Sequence, residues 1–157
     1  MSPLTRRSFA LTLVASLATS ACAQTGAKTK TAGPPLYPNE TPEMRSLINQ
    51  YADLYEVPRP LVQRVIVRES THRPEAMNRP YYGLMQILPA TARSMGFRGN
   101  PEDLLDAETN LKYAVKYLRG AWLLSDGSYD TAVRHYASGY YYEAKRRGML
   151  QETGLRS

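Results

Sequence analysis

The eleven residues at positions 60–70, with the sequence PLVQRVIVRES, decide the expected fold. One side of this segment carries apolar residues at offsets of three and four, and then an acid: Val62, Val65, Ile66 and Glu69. That spacing is typical of one face of an α-helix. Similar spacing recurs in residues 42–57 and 106–124, and strand signals are weak. We therefore expect a mainly α domain with at most a tiny β-hairpin around residues 81–82.

Caps, glycines and prolines set the expected ends of the elements. Thr41 can cap the first helix, Asp130 the short helix near the end, and Gly139 can close that short helix. In chain order we expect helix 42–57, helix 60–70, loop 71–82, short helical pieces 83–87 and 90–95 interrupted by Pro89, a loop around 96–101, the longest helix 106–124, a short helix 130–136, and a last helical turn or two over 140–148.

Composition excludes several classes of function. Of 157 residues, 43% are apolar and 22% charged, as in ordinary globular domains. One cysteine excludes a disulfide framework, and the wide separation of His72 from His135 excludes an HExxH metal helix. We expect no metal and no cofactor. The net charge of +6 is modest and dispersed, which argues against nucleic acid and suits either an acidic polymer or an ordinary solvated surface.

Residues 1–23 predict an export signal. Arg6 and Arg7 precede an uncharged run of apolar and small residues at 9–19, and further small residues follow. Residues 5–11, TRRSFAL, resemble a twin-arginine motif, and a general secretory signal is the alternative. Either signal predicts export to the periplasm.

Cys22 leaves the cleavage point open. Ala21-Cys22-Ala23 fits a small-residue site that would discard the cysteine and leave Gln24 first. Alternatively, Cys22 is the lipid-modified residue of a bacterial lipoprotein whose signal ends at residue 21, with an outer-membrane lipid anchor. A lone cysteine in this position favours lipidation, and Thr19 opposes it because such signals usually carry leucine there.

The remaining chain divides into three parts. Residues 24–40 hold Gln, Thr, Gly, Ala, Lys and Pro and predict a flexible linker. Residues 41–150 predict a single domain, and residues 151–157 a tail. Loss of the signal removes two positive charges, so the exported chain carries +4.

Glu69 is the candidate for chemistry. It continues the apolar side of its helix and lies at the helix C-terminus, where the macrodipole is negative. Desolvation and a nearby negative potential both raise the pKa of a carboxyl group. An acid that keeps its proton near neutral pH can serve as a general acid at a glycosidic oxygen. The alternative is a structural ion pair with Arg64, Arg68 or Arg73.

Glu69-Ser70, followed by GLMQI at residues 83–87, resembles the paired motifs of the transglycosylase SLT family, which has a lysozyme-like fold. The resemblance covers about residues 45–148 and continues in four further segments: LPATA at 88–92, NL at 110–111, YL at 117–118 and HYASG at 135–139. Two positions depart from the family pattern. Ala137 stands where the family has Asn, and Ala114 stands where Gly is usual.

The resemblance implies a lytic transglycosylase, which cleaves the β-1,4 bond between N-acetylmuramic acid and N-acetylglucosamine in peptidoglycan and forms a 1,6-anhydro ring. Glu69 would be the single general acid and base. The substrate's own 2-acetamido group would replace the second carboxylate that most glycosidases use.

The resemblance also implies substrate-binding roles for four residues: Ser70, Met85, Gln86 and Tyr136. Packing or helix capping remain alternatives for Ser70, Met85 and Tyr136. The 12 tyrosines suit a saccharide cleft because each ring has an apolar face and a polar edge. The candidates near the motifs are Tyr81, Tyr82 and residues 140–142.

Two other functions stay open. One is a hydrolase on the same fold, resembling goose-type lysozyme, in which water attacks instead of the C6 hydroxyl. The other is a non-catalytic module that binds peptidoglycan strands within an envelope or secretion complex. Glu69 favours an enzyme, and Ala137 keeps the binding module open.

Overall fold

The structure is a computed structural model that describes residues 34–156. The expected export signal, Cys22 and residues 24–33 of the expected linker lie outside the described residues. Between residues 34 and 156, no helix has both the length and the apolar character needed to cross a membrane.

Helices dominate the described part of the chain, so the prediction of a mainly α fold is confirmed. The elements are α1 (Pro42–Leu54), α2 (Arg59–Glu69), β1 (Met77–Asn78), β2 (Tyr81–Tyr82), α3 (Pro89–Ser94), a 3-10 helix (Pro101–Leu105), α4 (Ala107–Leu123), α5 (Tyr129–Ser138) and α6 (Tyr141–Arg147). The expected hairpin is present: β1 and β2 pair antiparallel, with Met77 opposite Tyr82 and Asn78 opposite Tyr81.

The core forms around α4, which contacts α1, α3, α5 and the 3-10 helix. Its buried side consists of small and branched residues at helical spacing: Leu111, Ala114, Val115, Leu118 and Ala121. The apolar side of α2 joins the same core through Leu61, Val62, Val65 and Ile66, all fully buried. Burial of this side fixes the direction in which Glu69, at the end of α2, must point.

The predicted cap of α1 is confirmed, because the Thr41 hydroxyl accepts a hydrogen bond from the Met44 N–H. The prediction for α5 is wrong: Ser128 caps this helix by accepting from the Thr131 N–H, and the helix continues to Ser138. Asp130 is instead ion-paired with Arg64 of α2. Asp130 therefore lies within the first turn of α5, where an acid favours the positive end of the helix dipole.

The expected helical piece at 83–87 is a turn, not a helix. Gly83 and Gln86 adopt left-handed conformations with φ of 75° and 47°, which a right-handed helix does not allow. The backbones of Tyr82 and Ile87 exchange two hydrogen bonds of 3.1 Å and close this turn. Pro89 also differs from expectation, since it begins α3 rather than interrupting it.

Two boundaries differ for simpler reasons. Helix α1 ends at Leu54, three residues earlier than expected, because Glu56 takes a left-handed conformation before Pro58. The loop expected around 96–101 leads into the 3-10 helix, whose start is capped by Asn100 together with Asp103.

Both described ends of the chain contact the domain. Glu40, in the segment expected to be a linker, is 7% exposed. Thr153, in the expected tail, is 3% exposed, and its hydroxyl donates to the Met149 carbonyl oxygen at 2.6 Å. The packed body is therefore longer at each end than residues 41–150.

Candidate active site

A cleft lies where the end of α2 meets the hairpin, the 83–87 turn and α5. Its main cavity has a volume of about 630 Å³, within the range of small-molecule sites. The lining residues are Arg68, Glu69, Arg73, Ala76, Met77, Asn78, Tyr81, Gln86, Tyr136 and Ala137. Glu69 is the only acidic residue among them.

The Glu69 carboxyl group is half-buried and has little compensation for its burial. Its side chain is 22% exposed, and the Arg68 Nε lies 3.5 Å from one carboxyl oxygen. No donor among residues 34–156 forms a hydrogen bond to it. Burial raises the pKa of Glu69, and the charge of Arg68 only partly opposes this effect. Glu69 therefore holds its proton to a higher pH than an exposed glutamate does.

The 83–87 turn forms the opposite wall of the cleft, and three side chains hold it. The Ser70 hydroxyl donates to the Leu84 carbonyl oxygen at 2.7 Å. The Tyr136 hydroxyl donates to the Met85 carbonyl oxygen at 2.8 Å, and the Asn110 side-chain oxygen accepts from the Met85 N–H at 3.0 Å. Bonds from α4, α5 and the end of α2 thus keep this wall at a set distance from Glu69.

Asn110 supports the turn from the interior of the domain. It is fully buried, and its amide nitrogen donates to the carbonyl oxygens of Tyr82 at 2.9 Å and Leu104 at 2.8 Å. A Cβ atom on Gly83 would lie 2.2 Å from this nitrogen and from the Leu104 oxygen. The turn therefore requires glycine at position 83, both for its positive φ and for this close approach.

Gln86 lines the cleft with its donor groups already used. Its side-chain nitrogen donates to the carbonyl oxygens of Ala76 and Gly83, each at 2.9 Å. Both partners are acceptors, so the amide nitrogen must face them. Because both amide hydrogens are used, Gln86 cannot donate to a ligand in this geometry, whereas its side-chain oxygen can accept a hydrogen bond from one.

Ser70 and Met85 do not line the cleft. Ser70 is 2% exposed and Met85 is fully buried. Met85 belongs to the hydrophobic core, and the Ser70 hydroxyl is committed to the Leu84 carbonyl. The structure therefore brings Glu69, Gln86 and Tyr136 together at the cavity and places the other two predicted residues beneath its wall.

Tyr136 lies beside Glu69 on α5. It is 9% exposed, and burial together with the nearby Glu69 charge raises the pKa of its phenol well above the usual range. The ring packs edge-on against Tyr117, with the ring centres 5.5 Å apart. Tyr136 is therefore a neutral, fixed wall of the cleft at working pH.

The cleft continues past Tyr136 as a groove. A second cavity of about 310 Å³ shares Tyr81, Gln86, Tyr136 and Ala137 with the first, and Tyr117 lines it as well. A third cavity shares Ser138 and Gly139 with the second and reaches residues 141–142. The three cavities therefore form a series that runs from Glu69 to residues 141–142.

The tyrosine candidates separate into three groups. Tyr81 is 41% exposed and lines the cleft, whereas Tyr82 and Tyr140 are buried. Tyr141 and Tyr142 are exposed at the far end of the groove. Tyr117, which was not among these candidates, lines the second cavity. Only the packing of α4 against α5 brings it there.

Sequence reasoning missed the roles of Asn110 and Arg73. Asn110 was noted only as part of a family motif, although it lies on the buried side of α4, four residues before Ala114 and eight before Leu118. A polar residue in an apolar stripe was therefore an available signal. Arg73 was considered only as an ion-pair partner. Its Nε donates to the Ser70 carbonyl oxygen at 3.0 Å, and the side chain lines the cavity.

Within residues 34–156, no group of three or more His, Cys, Asp or Glu side chains is arranged to hold a metal ion. The acids along the groove are Glu69 and, in the third cavity, Glu143. Glu143 is ion-paired with Arg146 and Arg147, each at 2.6 Å. The charged groups that line the main cavity are therefore one carboxyl group and two guanidinium groups.

A mainly α domain whose cleft holds a half-buried glutamate at the end of a helix defines a protein of the lysozyme-like class. The family model for the transglycosylase SLT domain matches residues 46–149, about two thirds of the chain. The chain therefore belongs to the transglycosylase SLT domain family, which indicates a protein that acts on peptidoglycan. A search of solved structures found no match.

Proposed function

We propose that this protein is a lytic transglycosylase that cleaves peptidoglycan between N-acetylmuramic acid and N-acetylglucosamine, with Glu69 as its single general acid and base. The observation that carries the proposal is the half-buried Glu69 carboxyl group, whose pKa is raised, in a cavity with no second acid among its lining residues. Most glycosidases need two carboxylates on either side of the scissile bond.

In the first step, Glu69 donates its proton to the glycosidic oxygen while the bond from that oxygen to the anomeric carbon breaks. The oxygen of the 2-acetamido group on the same sugar attacks the anomeric carbon and forms a cyclic oxazolinium ion. The substrate thereby supplies the nucleophile for which the cavity has no second carboxylate. The leaving sugar departs with a free hydroxyl group.

In the second step, the Glu69 carboxylate takes the proton from the C6 hydroxyl of the sugar that holds the oxazolinium ring. The C6 oxygen attacks the anomeric carbon, the acetamido oxygen leaves, and a 1,6-anhydro ring closes. Glu69 regains its proton and no water is consumed. A raised pKa suits both steps because the group must give up and regain a proton near neutral pH.

The surrounding residues have supporting roles in this proposal. The Gln86 side-chain oxygen accepts from a sugar hydroxyl or amide, and Tyr81 with Tyr117 offer ring faces to the glycan. Tyr136 fixes the wall beside Glu69. Ser70 and Met85 act through the 83–87 turn rather than by contact with substrate: the Ser70 hydroxyl bonds to the Leu84 carbonyl, and the Met85 side chain anchors the turn in the core.

Arg68 and Arg73 give the lining of the cavity a net positive charge, because Glu69 is its single acid. Peptidoglycan carries carboxylates on its stem peptides, so this positive charge attracts peptidoglycan to the cleft. The proposal includes export, in agreement with Arg6 and Arg7 and the apolar run after them, because the substrate lies outside the cytoplasm. Lipidation of Cys22 would hold the protein at a membrane, beside envelope partners.

Product chemistry tests the proposal. Purified sacculi are digested with the full chain, and the fragments are analysed by mass spectrometry. We expect ends that carry 1,6-anhydro-N-acetylmuramic acid. Fragments with reducing ends would replace this proposal with a lysozyme-type hydrolase. Binding to sacculi without release of fragments would support the non-catalytic module.

A further inference from the structure

A short segment on the N-terminal side of α1 contacts the part of the chain that carries Glu69. This segment, residues 37–40, is called the strap, and it precedes the 46–149 region that the family model matches. The strap packs against α2 and against the turn that follows it, through the side chains of Tyr37, Asn39 and Glu40. The strap therefore lies outside the part of the chain that the family model matches.

Glu40 fastens the strap to the domain. Its side chain is fully buried and accepts hydrogen bonds from the Arg45 guanidinium group, from the Gln63 amide at 2.8 Å and from the Tyr37 N–H at 2.9 Å. Buried carboxylates are tolerated when their oxygens are satisfied in this way. Gln63 lies on α2, so the strap is bonded directly to the helix that ends in Glu69.

Two further contacts reach the turn after Glu69. The Asn39 side chain donates to the Thr71 carbonyl oxygen at 2.9 Å. The Tyr37 ring stacks on the His72 ring, with centres 5.2 Å apart and planes 14° apart. His72 is fully buried, and its Nε2 donates to the Gln63 side-chain oxygen at 2.7 Å. Strap, helix and turn thus share one network.

The turn needs support of this kind. Thr71 and His72 both adopt left-handed conformations, with φ of 52° and 60°. A β-branched residue such as Thr71 rarely takes this conformation, and it persists only where surrounding contacts hold it. Glu69 is the last residue of α2. Relaxation of the next three residues would therefore unwind the helix end and move the Glu69 carboxyl group.

We propose that the strap, through Tyr37 and Asn39, is a positioning element that holds the 70–72 turn and thereby keeps Glu69 aligned in the cleft. This inference rests on the proposed function of Glu69. It assigns a role in the reaction to residues that touch neither the cavity nor the substrate.

The test compares full-length variants. Tyr37→Ala combined with Asn39→Gly removes both turn contacts, and glycine tolerates the φ of 63° at position 39. Tyr37→Phe is the matched control because it keeps the stacked ring. Asn39→Gly alone removes one exposed hydrogen bond and serves if the double variant does not fold. Turnover of soluble glycan strands and amide hydrogen exchange are measured at a temperature where each variant is folded.

We expect the double variant to lose about tenfold in kcat with KM unchanged, because small displacements of an acid from its proton acceptor are costly. The alkaline limb of its kcat profile should shift to lower pH, since a looser helix end admits water to Glu69. Exchange at residues 70–72 should become at least about tenfold faster. Tyr37→Phe should match the wild-type protein in all three measurements.

Two results would contradict the positioning role proposed for the strap. Wild-type kcat and pH profile in a double variant with faster exchange would show that Glu69 does not depend on the turn. Unchanged exchange would show that the strap does not hold the turn. A wild-type protein that cleaves no glycan would overturn the proposed function instead, which separates the two failures.

Discussion

Two glutamates, Glu40 packed against helix α2 and Glu69 at its last position, have pKa values shifted in opposite directions. Glu40 has a fully buried side chain, whereas the Glu69 side chain is 22% exposed. Burial alone would give Glu40 the higher pKa. Burial does act to raise the pKa of Glu40, but hydrogen bonds from Arg45, Tyr37 and Gln63 outweigh it and lower the pKa to about 2. The pKa of Glu69 is raised.

The difference teaches that the donors around a carboxylate, and not its depth, decide whether it is structural or reactive. Glu40 has donors for both oxygens and stays charged. Glu69 has a single guanidinium contact at 3.5 Å and retains its proton longer. A satisfied carboxylate stabilises the fold, while an unsatisfied one is available to a substrate.

The largest expected effect comes from Glu69→Gln, which keeps shape and removes the acid. We expect release of soluble fragments from sacculi to fall about a thousandfold, with no loss in the free energy of unfolding. Glu56→Gln is the control, since Glu56 is an exposed acid paired with Arg119. Unchanged turbidity clearance by Glu69→Gln would remove Glu69 from the mechanism.

Unlike Glu69→Gln, the variant Glu40→Gln is expected to lose stability. The neutral amide has one acceptor oxygen in place of two, so the partly buried Arg45 guanidinium group loses its ion pair with Glu40. We expect the free energy of unfolding to fall by about 3 kcal/mol, measured by urea denaturation. A loss no larger than that of Glu56→Gln would contradict the assigned role of Glu40 and the contrast with Glu69.

The two acids should also separate on a pH axis. The raised pKa of Glu69 predicts that kcat is highest where the acid is protonated and falls about tenfold per pH unit above that pKa. Glu40 has a lowered pKa, so its stabilisation is present above the unfolded value and is lost as pH falls towards about 2.

Stability measurements on wild type and Glu40→Gln from about pH 6 downwards check the second half of this prediction. The difference in the free energy of unfolding between wild type and Glu40→Gln should become smaller as the pH decreases below the pKa of glutamate in the unfolded chain. A constant difference across the whole range would mean that the ionised form of Glu40 is not the source of stability.

The smallest expected effect is that of Tyr136→Phe. It leaves the Met85 carbonyl without its donor, so we expect a loss of about 1 kcal/mol in the free energy of unfolding. Activity should fall by about tenfold through movement of the turn. Tyr129→Phe on the same helix is the control. If Tyr136→Phe were inactive, the Tyr136 hydroxyl would take part in proton transfer. Glu69 would then not be the only reactive group of the cleft.

Local sequence patterns predicted most of the helices and the direction of Glu69. Helical spacing is a property of neighbouring residues, so α1, α2 and α4 could be read directly, as could the Thr41 cap. The prediction failed at residues 83–87, where Ser70, Asn110 and Tyr136 reach in from other parts of the chain. Such contacts join residues 14, 25 and 51 positions apart and leave no local pattern.

Family motifs placed Gln86 and Tyr136 near the acid, but they carried no information about side-chain burial. The structure shows Ser70 and Met85 beneath the wall and Tyr117 on it. The strap was predicted to be linker because it belongs to residues 24–40, whose composition is small, polar and rich in proline. Nothing in that composition indicates that Glu40 would meet Arg45 and Gln63 in the interior.

The amino-acid sequence by itself determined the helices, the apolar side of α2 and the acid that continues this side, because periodicity acts over single helical turns. Tertiary structure alone decided which glutamate is satisfied and which is left reactive. That choice depends on donors from distant segments, whose positions are set only when α1, α2, α4 and α5 pack together.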